Sequence, residues 1–101
     1  ARTQRMADLS DAFVALPGGM GTFEEILEVM VLKQLGYHRK PIAVLDLDGY
    51  YEPLWTQIQR GIDHAFVKAE YLGLWYPAPD VDALLRYLES YQPHGYGLKW
   101  Q

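Results

Sequence analysis

Apolar and polar positions along the chain follow two patterns in alternation: short unbroken apolar runs, and longer stretches where apolar residues recur every three or four positions. The run over residues 12–16 predicts a buried strand. Residues 41–47 form a second continuous run, as expected of a parallel strand covered on both faces. A third, shorter candidate covers residues 74–76, before Pro77 and Pro79. Between the runs lie helical patterns. Residues 22–35 predict an amphipathic helix stopped by Gly36. Asp48-Gly49 marks a turn. Residues 51–66 carry Leu54, Ile58, Ile62 and Ala65 at helical spacing, with Gly61 as a weak point. Asp80 is placed to cap a last helix to about residue 91, with Val81, Leu84, Leu85 and Leu88 on its buried face. Residues 2–9 read as the end of a helix and residues 92–101 as an irregular tail. No internal repeat is visible. The alternation implies an α/β fold: a parallel sheet with right-handed crossovers, binding ligands outside the carboxyl ends of its strands.

One such end carries the run Leu16-Pro17-Gly18-Gly19-Met20-Gly21-Thr22-Phe23-Glu24-Glu25. Glycines at a strand-to-helix turn let backbone N–H groups face an anion, so a phosphate is the natural occupant. Gly18, Gly19 and Gly21 are expected to supply positive φ and close approach, and Pro17 pre-sets the turn. Thr22 is placed to cap the helix or to offer its hydroxyl to a ligand, and Glu25 stands three residues on, the spacing of a capping box. From the residues alone, Glu25 is equally a cap or a catalytic acid. The run is neither a Walker A loop, since no Lys-Ser or Lys-Thr closes it, nor a dinucleotide fingerprint. On the helix, Thr22, Glu25, Glu28, Val29 and Leu32 share one broad face, while Phe23, Ile26, Leu27, Met30 and Val31 are apolar too. A helix buried nearly all round is expected, with Glu25 and Glu28 in need of a cation or ligand. Arg2 is the leading candidate.

The run closely resembles the Pro-Gly-Gly-x-Gly-Thr-x-x-Glu signature of the Lonely Guy family, cytokinin-activating nucleoside 5'-monophosphate phosphoribohydrolases often mislabelled as lysine decarboxylases. Arg2, Ser10-Asp11-Ala12-Phe13, Glu28, Gln34-Leu35-Gly36, Lys40-Pro41 and Gly49-Tyr50-Tyr51 also fall where that family has them. Thr3, Val31 and Leu32 depart from the family's usual lysine, threonine and tryptophan, which bears on substrate preference more than on reaction type. The resemblance covers roughly residues 2–90 and corresponds to the second half of a family chain. It implies a Rossmann-like three-layer parallel sheet with flanking helices, present as a C-terminal fragment: residues 1–91 as part of one nucleotide-hydrolase domain, and residues 92–101 as a tail. It further implies Glu25 and Arg2 as catalytic residues, with Gly18, Gly19, Met20, Gly21, Thr22, Glu24 and Glu28 lining the substrate and its phosphate. The expected reaction is hydrolysis of the N-glycosidic bond of an adenine-type monophosphate, cytokinin or AMP, by a homodimer or larger homo-oligomer using neither metal nor cofactor. The alternative is a non-catalytic nucleotide or molybdenum-cofactor carrier of the same superfamily.

Composition narrows the picture further. The chain has 101 residues, 50% of them hydrophobic and 14% aromatic, enough for a core. It opens at Ala1 inside a helical pattern and is too short for a full doubly wound sheet, so a segment exposing apolar faces is expected. A net charge of −4 argues against a nucleic-acid partner while leaving room for a local phosphate site. No apolar stretch suggests a membrane span, and a cytoplasmic location is expected. Cysteine is absent, which excludes disulfides and thiol chemistry. His38, His64 and His94 lack metal-ligand spacing. Lys33, Lys40 and Lys68 carry no Schiff-base signature. Tyr50, Tyr51, Trp55, Trp75 and Tyr76 read as packing or interface aromatics.

Overall fold

The structure, a computed structural model, describes residues 11–91. The helix expected over residues 2–9, with Arg2, and the tail over residues 92–101 lie outside them. Three strands, β1 (Phe13–Ala15), β2 (Ile42–Leu45) and β3 (Tyr76–Ala78), form a parallel sheet in the order β1-β2-β3. Phe13 stands opposite Ile42, and Ala43 opposite Tyr76.

Side chains alternate across a strand, so this register sorts the apolar residues into two cores. Phe13, Ala15, Ile42 and Val44 face one side, where they meet Ile26, Val29 and Met30 of helix α1 (Met20–Gln34) and Leu54, Trp55 and Ile58 of α2 (Glu52–Asp63). Ala43, Leu45 and Ala78 face the other side, against Ala83 and Leu84 of α3 (Val81–Ser90) with Tyr87 and Leu88 beside them. Burial on both faces explains the unbroken apolar run of β2. The result is an α/β fold with a parallel sheet flanked by helices, the arrangement of a Rossmann-like fold.

Helix ends follow their sequence signals at two places. Asp80 Oδ1 accepts the Ala83 N–H at 2.8 Å and caps α3 as expected. At the end of α1, Gly36 adopts φ 88°, and the Gly36 and Tyr37 N–H groups donate to the Lys33 and Leu32 carbonyls. That is a Schellman motif, which needs the left-handed residue glycine provides.

Other expectations are corrected. The third strand begins at Tyr76, two residues later than expected, because Leu74 and Trp75 drop into the first core instead. Pro77 is tolerated within it because β3 pairs on one side only among the described residues, so no donor is needed on the other. On α3 the buried face is Ala83, Leu84, Tyr87 and Leu88, whereas Val81 and Leu85 are more than half exposed. Helix α2 stops at Asp63 rather than at residue 66, and Ala65 then turns the chain with φ 65°. Helix α1 is not buried all round: Ile26, Val29, Met30 and Lys33 form its inner stripe, and Met20, Leu27 and Val31 are exposed.

Candidate active site

Parallel pairing brings the loops after β1, β2 and β3 to one end of the sheet, and the glycine run is the first of them. Helix α1 begins at Met20, two residues before Thr22, with Gly19 at its N-cap and no side chain capping it. Phe23 is the first residue whose N–H reaches back to the Gly19 carbonyl, at 3.0 Å. The N–H groups of Met20, Gly21 and Thr22 therefore have no acceptor within the helix and face its positive end. A helix end of this kind offers backbone donors suited to an anion.

The glycines serve it by their missing Cβ atoms, not by unusual backbone angles. Positive φ occurs at Gly36 and Gly49 but at none of Gly18, Gly19 and Gly21, which corrects the conformational reading of the loop. A Cβ on Gly18 would collide with Thr22 Oγ1, so this glycine lets the threonine hydroxyl lie against the loop. At Gly19 and Gly21 a Cβ would meet nothing within 4 Å. There the glycines keep space open in front of the helix end.

The capping box does not form. Thr22 is the third residue of α1 and Glu25 the sixth, too far along for either to hold the exposed N–H groups in that motif. The bland reading of Glu25 thus loses its structural basis. Glu25 and Glu28 are half-buried and Glu24 is exposed. Glu24 and Glu28 line an open groove of about 700 Å³ with Met20, Phe23, Leu27 and Val31, and Glu25 stands outside that lining. The pairing of Glu25 with Arg2, and the lead-in residue Ser10, lie outside the described residues.

The loop after β2 reaches the glycine run, which the sequence reading missed. Tyr51 Oη donates to the Leu16 carbonyl at 2.6 Å, and Tyr50 Oη to the Gly18 carbonyl at 2.5 Å. Asp46, the residue that follows β2, accepts the Tyr51 backbone N–H at 2.7 Å and Trp55 Nε1–H at 2.9 Å. Burial pushes the Tyr51 phenol up from 10.0, and the neighbouring Tyr50 adds to this. Its hydroxyl therefore stays protonated and able to donate. Tyr51, Trp55 and Trp75 pack in the first core, as expected of packing aromatics; Tyr50 is exposed. An acid directly ending a buried strand was the available sign for Asp46.

A second missed residue is Lys33. It is 1% exposed, donates from Nζ to the Leu74 carbonyl at 2.9 Å, and lies over the Tyr91 ring, 4.8 Å from its centroid. Burial lowers its pKa from 10.5 to about 8. It sits in the last turn of α1, some fourteen residues and thus roughly 20 Å along the axis from Gly19, remote from the glycine loop. His38 is structural: Nδ1 accepts the Lys40 N–H and Nε2 donates to the Val29 carbonyl, both at 3.1 Å.

The family described as "Possible lysine decarboxylase" matches residues 1–88. The chain belongs to this family. Within it the chain is 47% identical over 92 residues to a cytokinin riboside 5'-monophosphate phosphoribohydrolase of Arabidopsis thaliana, an alignment covering 91% of the chain and 42% of that protein. It is 42% identical over 104 residues to a "Probable cytokinin riboside 5'-monophosphate phosphoribohydrolase" of Oryza sativa subsp. japonica, covering 99% of the chain and 49% of the relative. The chain thus spans less than half the length of these curated family members. The Lonely Guy resemblance drawn from the glycine run and its flanking motifs is confirmed. For this family member the loop, the open helix end and the half-buried Glu25 fall within the matched residues.

Proposed function

We propose that the protein carrying this chain hydrolyses the N-glycosidic bond of an adenine-type nucleoside 5'-monophosphate, a cytokinin riboside monophosphate or AMP. The 5'-phosphate rests on the free N–H groups of Met20, Gly21 and Thr22, with the space in front of Gly19 and Gly21 admitting it. Glu25 serves the reacting carbon from the second turn of α1. As the C1'–N bond breaks, the ribosyl group acquires oxocarbenium character, which a carboxylate stabilises while accepting a proton from the attacking water. The water oxygen ends on C1' as a hydroxyl, and the proton taken up from water is passed on to the departing base nitrogen, which restores the carboxylate. Arg2 is assigned to the phosphate or ribose, and Glu24 and Glu28 to the substrate groove beside it.

The observation that carries this reading is the capless start of α1 beside a half-buried Glu25 that has no capping role. The names of the relatives support the same chemistry. Residues 1–91 would then form part of one Rossmann-like domain. A homodimer or larger assembly is part of the proposal: Met20 is 80% exposed and Leu27 and Val31 each more than 40%, an apolar rim of the groove lined by Glu24 and Glu28 that a second subunit would close over the substrate.

The test is Glu25→Gln in a protein of the relatives' full length, with released base followed chromatographically. Loss of the carboxylate should lower turnover by a factor of about 100 or more, with nucleotide binding retained. Unchanged turnover would remove Glu25 from the reaction, and no base release from any monophosphate by the unsubstituted protein would favour a carrier.

A further inference from the structure

We propose that Tyr50, Tyr51 and Asp46 are positioning residues that set the direction of the glycine loop's peptide groups and so tune its grip on phosphate. The proposal rests on the reading of that loop as the phosphate site.

A loop that binds an anion through N–H groups has an inherent weakness. Every peptide also carries a carbonyl oxygen, and rotation of a peptide plane exchanges an attractive dipole for a repulsive one. In a trans peptide the C=O and the following N–H point in opposite directions. All peptide bonds among the described residues are trans. A donor that holds the Gly18 carbonyl therefore also fixes the Gly19 N–H, in the peptide group immediately before the one that carries the Met20 N–H, the first donor of the phosphate site, and Tyr50 Oη is that donor. The Leu16 carbonyl precedes Pro17, which has no N–H, and Tyr51 Oη takes it up. Both carbonyls are thus held by phenols before any ligand arrives.

The two phenols differ in how they are held. Tyr50 is exposed and joined to Tyr51 by an edge-on ring contact with centroids 5.0 Å apart. Tyr51 is buried and fixed from behind by Asp46, whose second oxygen is held by the Trp55 indole and whose own N–H donates to the Ala78 carbonyl of β3 at 2.8 Å. A line of hydrogen bonds therefore runs from the far strand through Asp46 and Tyr51 to the entry of the loop. Nothing in it needs to reorganise when an anion binds.

The experiment compares Tyr50→Phe, Tyr51→Phe and Asp46→Asn with the unsubstituted protein at the relatives' full length, using ribose 5-phosphate and inorganic phosphate as competitive inhibitors and free adenine as control. One lost hydrogen bond to the loop should weaken ribose 5-phosphate about fivefold in Tyr50→Phe. KM for the monophosphate should rise more than kcat falls, with adenine inhibition and the melting temperature unmoved. Tyr51→Phe and Asp46→Asn should shift phosphate affinity in the same direction. A purely structural role would lower stability without changing the ratio of phosphate to adenine affinity. Because Tyr50 is exposed, Tyr50→Phe tests the idea even where the buried variants fold poorly. Phosphate affinity unchanged in Tyr50→Phe would overturn the proposal. Absence of phosphate competition in the unsubstituted protein would instead overturn the phosphate-site reading beneath it.

Discussion

Replacing Lys33 with methionine should change how stability depends on pH. The ammonium group is removed from water and receives in return a carbonyl oxygen and an aromatic face, neither carrying a full negative charge. Its pKa falls from 10.5 to about 8 as a result. Below pH 8 the amine is protonated in both folded and unfolded chains, and the folded state bears the whole cost of the buried charge. Between pH 8 and 10.5 the folded chain has released the proton while the unfolded chain still holds it. The unfolded state then binds more protons, so stability rises with pH across that window and levels off above it. At about 1.36 kcal/mol per pH unit, the rise amounts to roughly 3 kcal/mol. Lys33→Met keeps an unbranched apolar stem but has no proton to lose, so its curve lacks the rise. The measurement is urea denaturation of both proteins at intervals from pH 7 to 10.5. Subtracting one curve from the other cancels the titrating groups remote from Lys33. Parallel curves throughout would show that Lys33 is solvated in solution, and the reasoning would fail.

Two further tests separate the roles of residues at helix ends. Gly18→Ala forces a Cβ into the Thr22 side chain and should destabilise the protein by about 1–3 kcal/mol, whereas Gly19→Ala meets only open space and should leave the melting temperature within about a degree or two while weakening phosphate binding in a calorimetric titration; equal melting temperatures for the two variants would contradict the assignment. Asp80→Ala removes the cap on the Ala83 N–H and should cost about 1 kcal/mol, seen as a lower denaturation midpoint with the slope unchanged.

Much of this architecture was legible because each signal came from local chemistry. The apolar run of β2, the glycine ending α1 and the aspartate capping α3 all act within a few residues, so the sequence displays both cause and effect. The errors arose where a distant contact decided the outcome. Leu74 and Trp75 read as a strand by composition, but the core beneath α2 claims them and the strand starts at Tyr76. Lys33 reads in the sequence only as a lysine without a Schiff-base signature. Yet Ile26, Val29, Met30 and Lys33 follow the i, i+3, i+4, i+7 spacing of a buried stripe, so periodicity already placed it inside. The site was legible in its loop and not in its support. Glycines announce an open helix end, but no spacing rule links residues 16 and 18 to hydroxyls more than 30 positions later.

The bonding at Asp46 also gives the protein an optical handle. Trp55 and Trp75 have ring centroids 5.5 Å apart, with Tyr51 packed against Trp55 at 5.9 Å. Rings this close exchange excitation, and one of the indoles among them, Trp55, rests its N–H on the Asp46 carboxylate. Loss of the Asp46 carboxylate, as in Asp46→Asn, alters the surroundings of that indole directly. The bonding at Asp46 can therefore be followed through intrinsic fluorescence, with no label attached.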